Sequence, residues 1–196
     1  SRPGPVVTLL GAVHGDELVG PLALTYLCGP NFMGPDRVFD ANSLAGTIRI
    51  VPIVNLPGYR RMIRDFPDNR DLNRAFPGNP DSNTTSRVAN RLWMNIVSTS
   101  DYIVDLHTAG KGRTNIPQIR ANLAHASTNR IARSFGIETI LDSEGPKGSL
   151  RRVANENDIA CITYEGGGPD EADPESVQIA MYGTINLLRS LRMLPG

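Results

Sequence analysis

The sequence predicts an α/β fold built on a largely parallel sheet. Short apolar runs that suit buried strands alternate along the chain with segments of helical periodicity, a pattern typical of parallel α/β domains. Residues 6–13 form a nearly unbroken apolar run, as expected of a strand with both faces covered. The length of 196 residues suits one domain with a substantial core, so we assign residues 1–196 to a single domain.

The individual elements follow from apolar periodicity and from boundary residues. Strands are expected at residues 6–13, 47–54, 102–106, 116–122, 138–141 and 160–164. Helices are expected at residues 17–27, 81–97, 128–135, from 149 onward and at 174–191. Asp81 and Ser82 both suit the N-cap of the second helix. The last helix repeats apolar side chains on one face: Val177, Ala180, Met181, Ile185 and Leu188.

Composition excludes several classes of function. The 20 basic residues balance 20 acidic ones, which argues against a nucleic-acid partner. No apolar run approaches the roughly 20 residues that span a bilayer, so no membrane partner is expected. Cys28 and Cys161 are predicted to be reduced core residues, and we expect a cytoplasmic protein. Whether identical copies assemble stays open.

Metal-binding side chains are concentrated where predicted strands end. His14 and Glu17 follow the first strand, His107 ends a central strand, and Glu165 ends a late one. In open α/β sheets, sites form beyond the carboxyl ends of the strands, so these residues can converge. Catalytic zinc takes three nitrogen or carboxylate ligands and keeps one position for water. Taken separately, the first pair could be an exposed loop pair and His107 a packed histidine, but together the residues favour a zinc site.

Two further residues near this chemistry have weaker signals. Asp105 lies two residues before His107, so both point to one face of a strand. Asp105 could fix the tautomer of His107, or it could be a structural salt bridge or buried acceptor. His125 precedes a predicted helix without a ligand-like partner, and we predict no functional role for it.

Residues 55–79 are rich in proline and arginine without a helical or strand period, and a loop of this length usually has a function. Asn73 and Arg74 could grip a substrate carboxylate, because a guanidinium matches a carboxylate bidentately. Another arginine of the loop could stabilise an oxyanion. The alternative is a solvated basic loop, balanced by three acids: Asp65, Asp68 and Asp71.

At these residues the chain resembles the succinylglutamate desuccinylase/aspartoacylase family of the zinc carboxypeptidase-like superfamily. Four blocks carry the resemblance, in the family's order: Gly11–Glu17, Asp71–Gly78, Asp105–Thr108 and Thr163–Gly168. The resemblance implies a three-layer fold, with a mixed, mostly parallel sheet and helices on both faces. It also implies a zinc-dependent hydrolase that cleaves the amide bond of an N-acyl amino acid or a related small carboxylate-bearing substrate.

The resemblance also implies roles for individual residues. His14, Glu17 and His107 would be the Zn²⁺ ligands, and Glu165 the general base and acid. Asn73 and Arg74 would hold the substrate carboxylate.

Two arginine assignments are less specific. Arg64 is our choice for the oxyanion, although Arg60, Arg61 and Arg70 crowd the same stretch. Arg151 resembles a substrate-facing arginine, with a surface helix arginine as the alternative reading.

Family members usually continue into a smaller β-rich C-terminal domain. This sequence stops near the end expected for the catalytic domain, so we expect that second domain to be absent, in a truncated or a naturally minimal chain. Two other functions stay open: a metallocarboxypeptidase acting on peptide C-termini, and a non-catalytic zinc-binding domain. An ester-cleaving variant of the same site is also open.

Overall fold

A computed structural model describes residues 2–32, 37–40 and 42–195. Within these residues, the strands are β1 Arg2–Gly11, β2 Ala45–Val51, β3 Tyr102–His107, β4 Asn115–Ala121, β5 Ile140–Asp142 and β6 Ala160–Gly167. They form one sheet in the order β2-β1-β3-β6-β4-β5. Neighbouring strands run parallel except β4 and β6, which are antiparallel. The prediction of a mixed, mostly parallel sheet is confirmed.

Helices cover both faces of this sheet. In the described part of the chain they are α1 Val19–Leu27, α2 Leu56–Tyr59, α3 Thr84–Asn95, α4 Ala126–Ser134, α5 Leu150–Glu156 and α6 Pro174–Ser190. Short 3-10 helices occupy Leu72–Arg74 and Val97–Thr99. Buried residues of α1, α4 and α6 belong to the apolar cluster on one face, and those of α3 and α5 to the cluster on the other. The chain therefore has the three layers that the resemblance implied.

The two faces of the central strands differ in character. On β3 and β6, Leu106 and Tyr164 point into the larger apolar cluster, whereas Asp105, His107 and Glu165 point to the opposite face. That opposite face is apolar near the start of the strands and becomes polar towards their carboxyl ends. The register aligns His107 with Glu165, so the polar side chains of neighbouring strands lie together.

Several local predictions were wrong. The second strand is an edge strand and is only half-buried, because a single neighbour, β1, covers it. Asn83, rather than Asp81 or Ser82, caps α3 by accepting a hydrogen bond from the backbone N–H of Ser86. Cys28 is exposed at the end of α1, while Cys161 is buried as predicted; both are free thiols.

The segment 55–79 is more ordered than its composition suggests. It contains α2 and a 3-10 helix, each capped by a polar side chain: Asn55 accepts from Gly58 N–H and Asp71 from Asn73 N–H. Three apolar side chains of the segment pack into the core: Phe66, Leu72 and Phe76. Caps and core contacts order this segment and hold it against the sheet. Its sequence lacks the periodicity by which helices and strands are normally predicted.

No helix in the described ranges has both the length and the apolar character required to cross a bilayer.

Candidate functional site

The turn after β1 positions the first two candidate ligands. Ala12 adopts a positive φ of 46°, which turns the chain away from the strand before His14. Gly15 then packs against α2, and a Cβ there would lie 2.1 Å from the Gly58 carbonyl carbon. Only glycine allows this approach, which places the turn that carries His14 and Glu17 directly against α2. The two side chains meet at 2.7 Å, between His14 Nδ1 and Glu17 Oε1.

His107 completes a buried cluster from the end of β3. Its Nδ1 lies 2.9 Å from Glu17 Oε2 and 3.2 Å from His14 Nδ1. The backbone N–H of Thr108 donates to the same Glu17 oxygen at 3.0 Å. All three cluster residues are at most 3% exposed. Strand ends and one turn therefore hold three ligating side chains in a fixed arrangement.

The donor set fits a zinc ion. One ligand atom from each of His14, Glu17 and His107 can be chosen so that all lie within 4.8 Å of one another. Two nitrogens bound to zinc at tetrahedral angles stand about 3.3 Å apart, close to the separation of the two Nδ1 atoms. Two imidazoles and one carboxylate are also a usual ligand set of catalytic zinc.

Each imidazole has a carboxylate behind it. His107 Nε2 lies 2.8 Å from Asp105 Oδ2, and His14 Nε2 lies 3.1 Å from Asp71 Oδ1. Such carboxylates orient a ligating histidine and select its tautomer. Both Nδ1 atoms are thereby directed to the shared point near Glu17. The sequence predicts the contact of Asp105 with His107 as one of two alternatives, whereas it identifies Asp71 only as a balancing charge and as part of a family block, without its contact to His14.

The electrostatics of the cluster favour a cation. Burial alone would lower the pKa of both imidazoles, but the carboxylates outweigh it and raise the pKa of His14 and, more strongly, of His107. Burial also opposes ionisation of Glu17, and the two imidazoles overcome it and lower the pKa of that carboxyl far below its usual range. The cluster thus stabilises positive charge in its centre, which a metal ion can supply in place of protons.

Glu165 lies within β6 rather than beyond its end, with its carboxylate held by two side chains of β4. Asn115 Nδ2 donates to Oε2 at 2.8 Å, and Arg120 Nη1 lies 3.2 Å from Oε1. Burial raises the pKa of Glu165, against the opposing charges of His107 and Arg120. A carboxyl with a raised pKa is suited to accept and return protons near neutral pH.

A cavity of about 360 Å³ joins these groups. It is lined by all three residues of the cluster and by Glu165. Six cationic side chains also line it: Arg64, Arg74, Lys111, Arg113, Arg120 and Arg151. Cationic side chains outnumber the two lining carboxylates, so the cavity favours an anionic ligand.

Comparison with known proteins places this chain in a family. A family model for the succinylglutamate desuccinylase/aspartoacylase catalytic domain matches residues 3–191. The chain belongs to this family. The family resemblance of the sequence motifs is thereby confirmed.

Individual relatives agree with this assignment. The N-alpha-acetyl-L-2,4-diaminobutyric acid deacetylase of Halomonas elongata is 31% identical over 204 residues, covering 98% of this chain and 56% of the relative. The product-bound ectoine utilization protein EutE (DoeB) from Ruegeria pomeroyi matches with a TM-score of 0.88 and 29% identity, over 100% of this chain and 60% of that one. The chain therefore spans little more than half the length of these relatives.

A more distant likeness concerns the fold alone. The D,L-carboxypeptidase Csd4 of Helicobacter pylori, in its mDAP-bound form, matches with a TM-score of 0.71 at 15% identity, over 97% of this chain and 51% of that chain. The carboxypeptidase-like architecture expected from the resemblance is thus confirmed.

The predicted arginine for an oxyanion lines the cavity of this family member. Arg64 donates to Glu17 Oε1 at 3.2 Å and to Asp71 Oδ2 at 3.0 Å. Its three competitors do not line this cavity: Arg60, Arg61 and Arg70. Its role in catalysis stays a prediction.

Asn73 and Arg74 line the cavity from the 3-10 helix. The Asn73 side-chain oxygen accepts from the backbone N–H of Leu150 at 2.8 Å, which ties the helix to the start of α5. Arg74 is anchored through its Nη1 to the Asn73 carbonyl and remains 45% exposed. Both residues are therefore available to a ligand that enters the cavity.

Arg151 is not a surface arginine. It is only 5% exposed on α5, and its guanidinium donates to the backbone and side-chain oxygens of Ser143. The reading as a surface helix residue is wrong, because α5 turns this side chain towards the sheet and into the cavity lining. His125 lies elsewhere, where its Nδ1 accepts from Thr128 N–H and caps α4.

Sequence reasoning missed Asn115 and Arg120 as neighbours of Glu165. For Arg120, alternation along β4 offers a signal, because Gln118 and Arg120 share one face while Ile119 and Ala121 occupy the other. That pattern identifies a polar face. It does not show that β4 pairs with β6, and this pairing creates the contact. Asn115 has no such signal, because the register shifts between Asn115 and Gln118.

Proposed function

We propose that this chain is the catalytic domain of a zinc-dependent deacylase that hydrolyses the amide bond of an N-acyl amino acid. The observation that carries the proposal is the buried cluster of His14, Glu17 and His107, which opens into a cation-lined cavity together with Glu165. Membership of a deacylase family supports this class of reaction. The deacetylase name of the Halomonas elongata relative points to the same bond type.

His14, Glu17 and His107 would hold the zinc ion, with Asp71 and Asp105 orienting the two imidazoles. Zinc in such a site lowers the pKa of a bound water and polarises a carbonyl group. Burial and the contacts with Asp71 and Asp105 hold the three side chains close together.

Glu165 performs the proton transfers. Its carboxylate accepts a proton from the attacking water and then returns that proton to the leaving nitrogen when the C–N bond breaks. A raised pKa makes Glu165 a stronger base than an exposed glutamate and lets it carry the proton between the two steps. The products are a carboxylic acid and a free amine.

The arginines bind and polarise the substrate. Arg64 uses two contacts to carboxylates, and a guanidinium has five N–H donors, so further donors remain for the oxyanion that forms on the amide carbonyl. Asn73 and Arg74 bind the carboxylate of the amino-acid part, and Arg151 lies deeper along the wall of the cavity.

Replacement of Glu165 by glutamine tests the proposal. The variant should keep the zinc content of the parent chain, because Glu165 is outside the ligand set, and it should lose about 10²- to 10⁴-fold in kcat. Metal analysis and a panel of N-acyl amino acids measure both quantities. Parent-like turnover in E165Q would exclude Glu165 as the proton carrier.

Two outcomes would replace the proposed function. Faster cleavage of short peptides than of N-acyl amino acids would identify a carboxypeptidase, since Asn73 and Arg74 could equally hold a C-terminal carboxylate. Stoichiometric zinc without hydrolysis of either panel would identify a zinc-binding domain.

Removing the metal with a chelator should abolish turnover, and added zinc should restore it.

A further inference from the structure

The strand β4 supplies two polar contacts to one carboxylate, a hydrogen bond from Asn115 and an ion pair with Arg120. Asn115 Nδ2 lies 2.8 Å from Glu165 Oε2, and Arg120 Nη1 lies 3.2 Å from Oε1, so each oxygen has its own partner. The Glu165 side chain is only 11% exposed. The terminal torsion of a glutamate is broad and roughly two-fold, so a carboxylate held at one oxygen can still rotate. The hydrogen bond at one oxygen and the ion pair at the other together restrict that rotation.

The antiparallel pairing of β4 with β6 produces this arrangement. The register sets Gln118 opposite Glu165 and Arg120 opposite Thr163, and opposed residues project from the same face of a sheet. Arg120 therefore reaches along the strand towards Glu165 on the cavity side. A slip of one residue would turn Arg120 to the opposite, apolar face.

Arg120 is directed to Glu165 by its surroundings. The neighbouring cation Arg151 repels it, and Arg151 itself is committed to Ser143. Glu165 is the carboxylate that pairs with Arg120 among the residues the structure describes. The buried Nε of Arg120 has no hydrogen-bond partner among those residues, so the contact with Glu165 is its principal polar anchor.

We propose that Arg120, with Asn115, is a positioning residue that fixes the orientation of the Glu165 carboxylate towards the reacting water. The inference rests on the proposed function, in which Glu165 moves the proton. Arg120 acts through Glu165 and does not itself bind the substrate. Truncation of Arg120 should therefore affect the chemical step more than substrate binding.

Kinetics of Arg120→Met measure this role. We expect kcat to fall about 10- to 100-fold, as for a misplaced catalytic group, while KM changes by less than about threefold. Arg120→Lys, which keeps a cation, should recover part of the loss. Arg133→Met is the matched control, because Arg133 is exposed on α4, where its side chain donates to Asn129. A rise in KM with kcat unchanged would show direct substrate binding and overturn the proposal.

A double-mutant cycle separates action through Glu165 from an independent effect. In the Glu165→Gln background, Arg120→Met should change the residual kcat by less than about twofold, because the group that Arg120 orients is gone. An equal loss in both backgrounds would overturn the proposal. If Arg120→Met lacks a cooperative thermal transition, Arg120→Lys and Asn115→Ala replace it in the cycle.

A crystal structure of Arg120→Met tests the same idea without any activity. The Glu165 carboxylate should rotate or shift by about 1 Å from its position in the parent chain, a displacement large enough to impair catalysis. An unmoved carboxylate would overturn the proposal. Failure of the parent chain to hydrolyse any N-acyl amino acid would instead remove the proposed function, so the two failures are distinguishable.

Discussion

The histidine–glutamate cluster and two arginines of the same cavity, Arg64 and Arg74, are held in different ways. His14, Glu17 and His107 come from strand ends and one tight turn and are almost fully buried. Arg64 and Arg74 come from the long segment after β2, and 36% and 45% of their side chains are exposed. Buried groups interact strongly and tolerate little movement, whereas exposed arginines are screened by water. The cavity thus combines a buried centre with a more exposed rim.

The largest effect on zinc binding and turnover is expected in the buried cluster. His107→Ala should abolish stoichiometric zinc binding and turnover, because two protein ligands hold zinc far more weakly than three. Elemental analysis after dialysis measures the metal content. His125→Asn serves as the control, since His125 caps α4 and asparagine is a good cap. Full zinc content in His107→Ala would exclude this residue as a ligand.

A smaller effect on zinc binding is expected at the carboxylates that contact the two histidines. Asp105→Asn should weaken zinc binding by about 10- to 100-fold, because an amide no longer supplies the charge that orients His107. Competition with a chromophoric chelator measures the affinity. Asp101→Asn is the matched control, as its carboxylate accepts from Val6 N–H at the other end of β3. Equal affinities in the two variants would show that Asp105 is only structural.

At the rim, Arg74→Met should raise KM for an N-acyl amino acid about 10- to 100-fold, the range expected for a lost hydrogen bond to a charged group. The corresponding substrate carboxamide provides the control. It lacks the carboxylate, so it should bind Arg74→Met and the parent chain equally. An equal rise in KM for both substrates would show that Arg74 contacts a part of the substrate other than its carboxylate.

The smallest effect is expected at Lys111, on the turn between β3 and β4. Lys111→Gln should reduce kcat/KM by only about two- to threefold, because an exposed cation mainly attracts the substrate over a distance. The difference should disappear at roughly 0.5 M salt, where charges beyond a few ångströms are screened. A larger loss of kcat/KM that persists at high salt would indicate a direct contact between Lys111 and the substrate. Residues of the rim would then affect catalysis more nearly as much as those of the buried cluster.

The buried cluster and the arginines of segment 55–79 also differ in how far the sequence predicts them. The sequence predicts that His14, Glu17 and His107 come together, because they lie at or just after the ends of apolar runs typical of buried strands and within blocks that resemble the family. This prediction requires no knowledge of strand order. The arginines were harder, because Arg60, Arg61, Arg64 and Arg70 share one segment whose path depends on Asn55 and on packing of Phe66 and Leu72.

By itself, the sequence determined the α/β class, the family and the residue types of the buried cluster, since these depend on local periodicity and on motifs within short segments. Only the tertiary structure decided that Asp71 lies behind His14, that Arg151 is buried, and that β4 brings Arg120 to Glu165. These contacts join residues far apart in the chain. Their geometry depends on strand order and register, which local patterns do not encode.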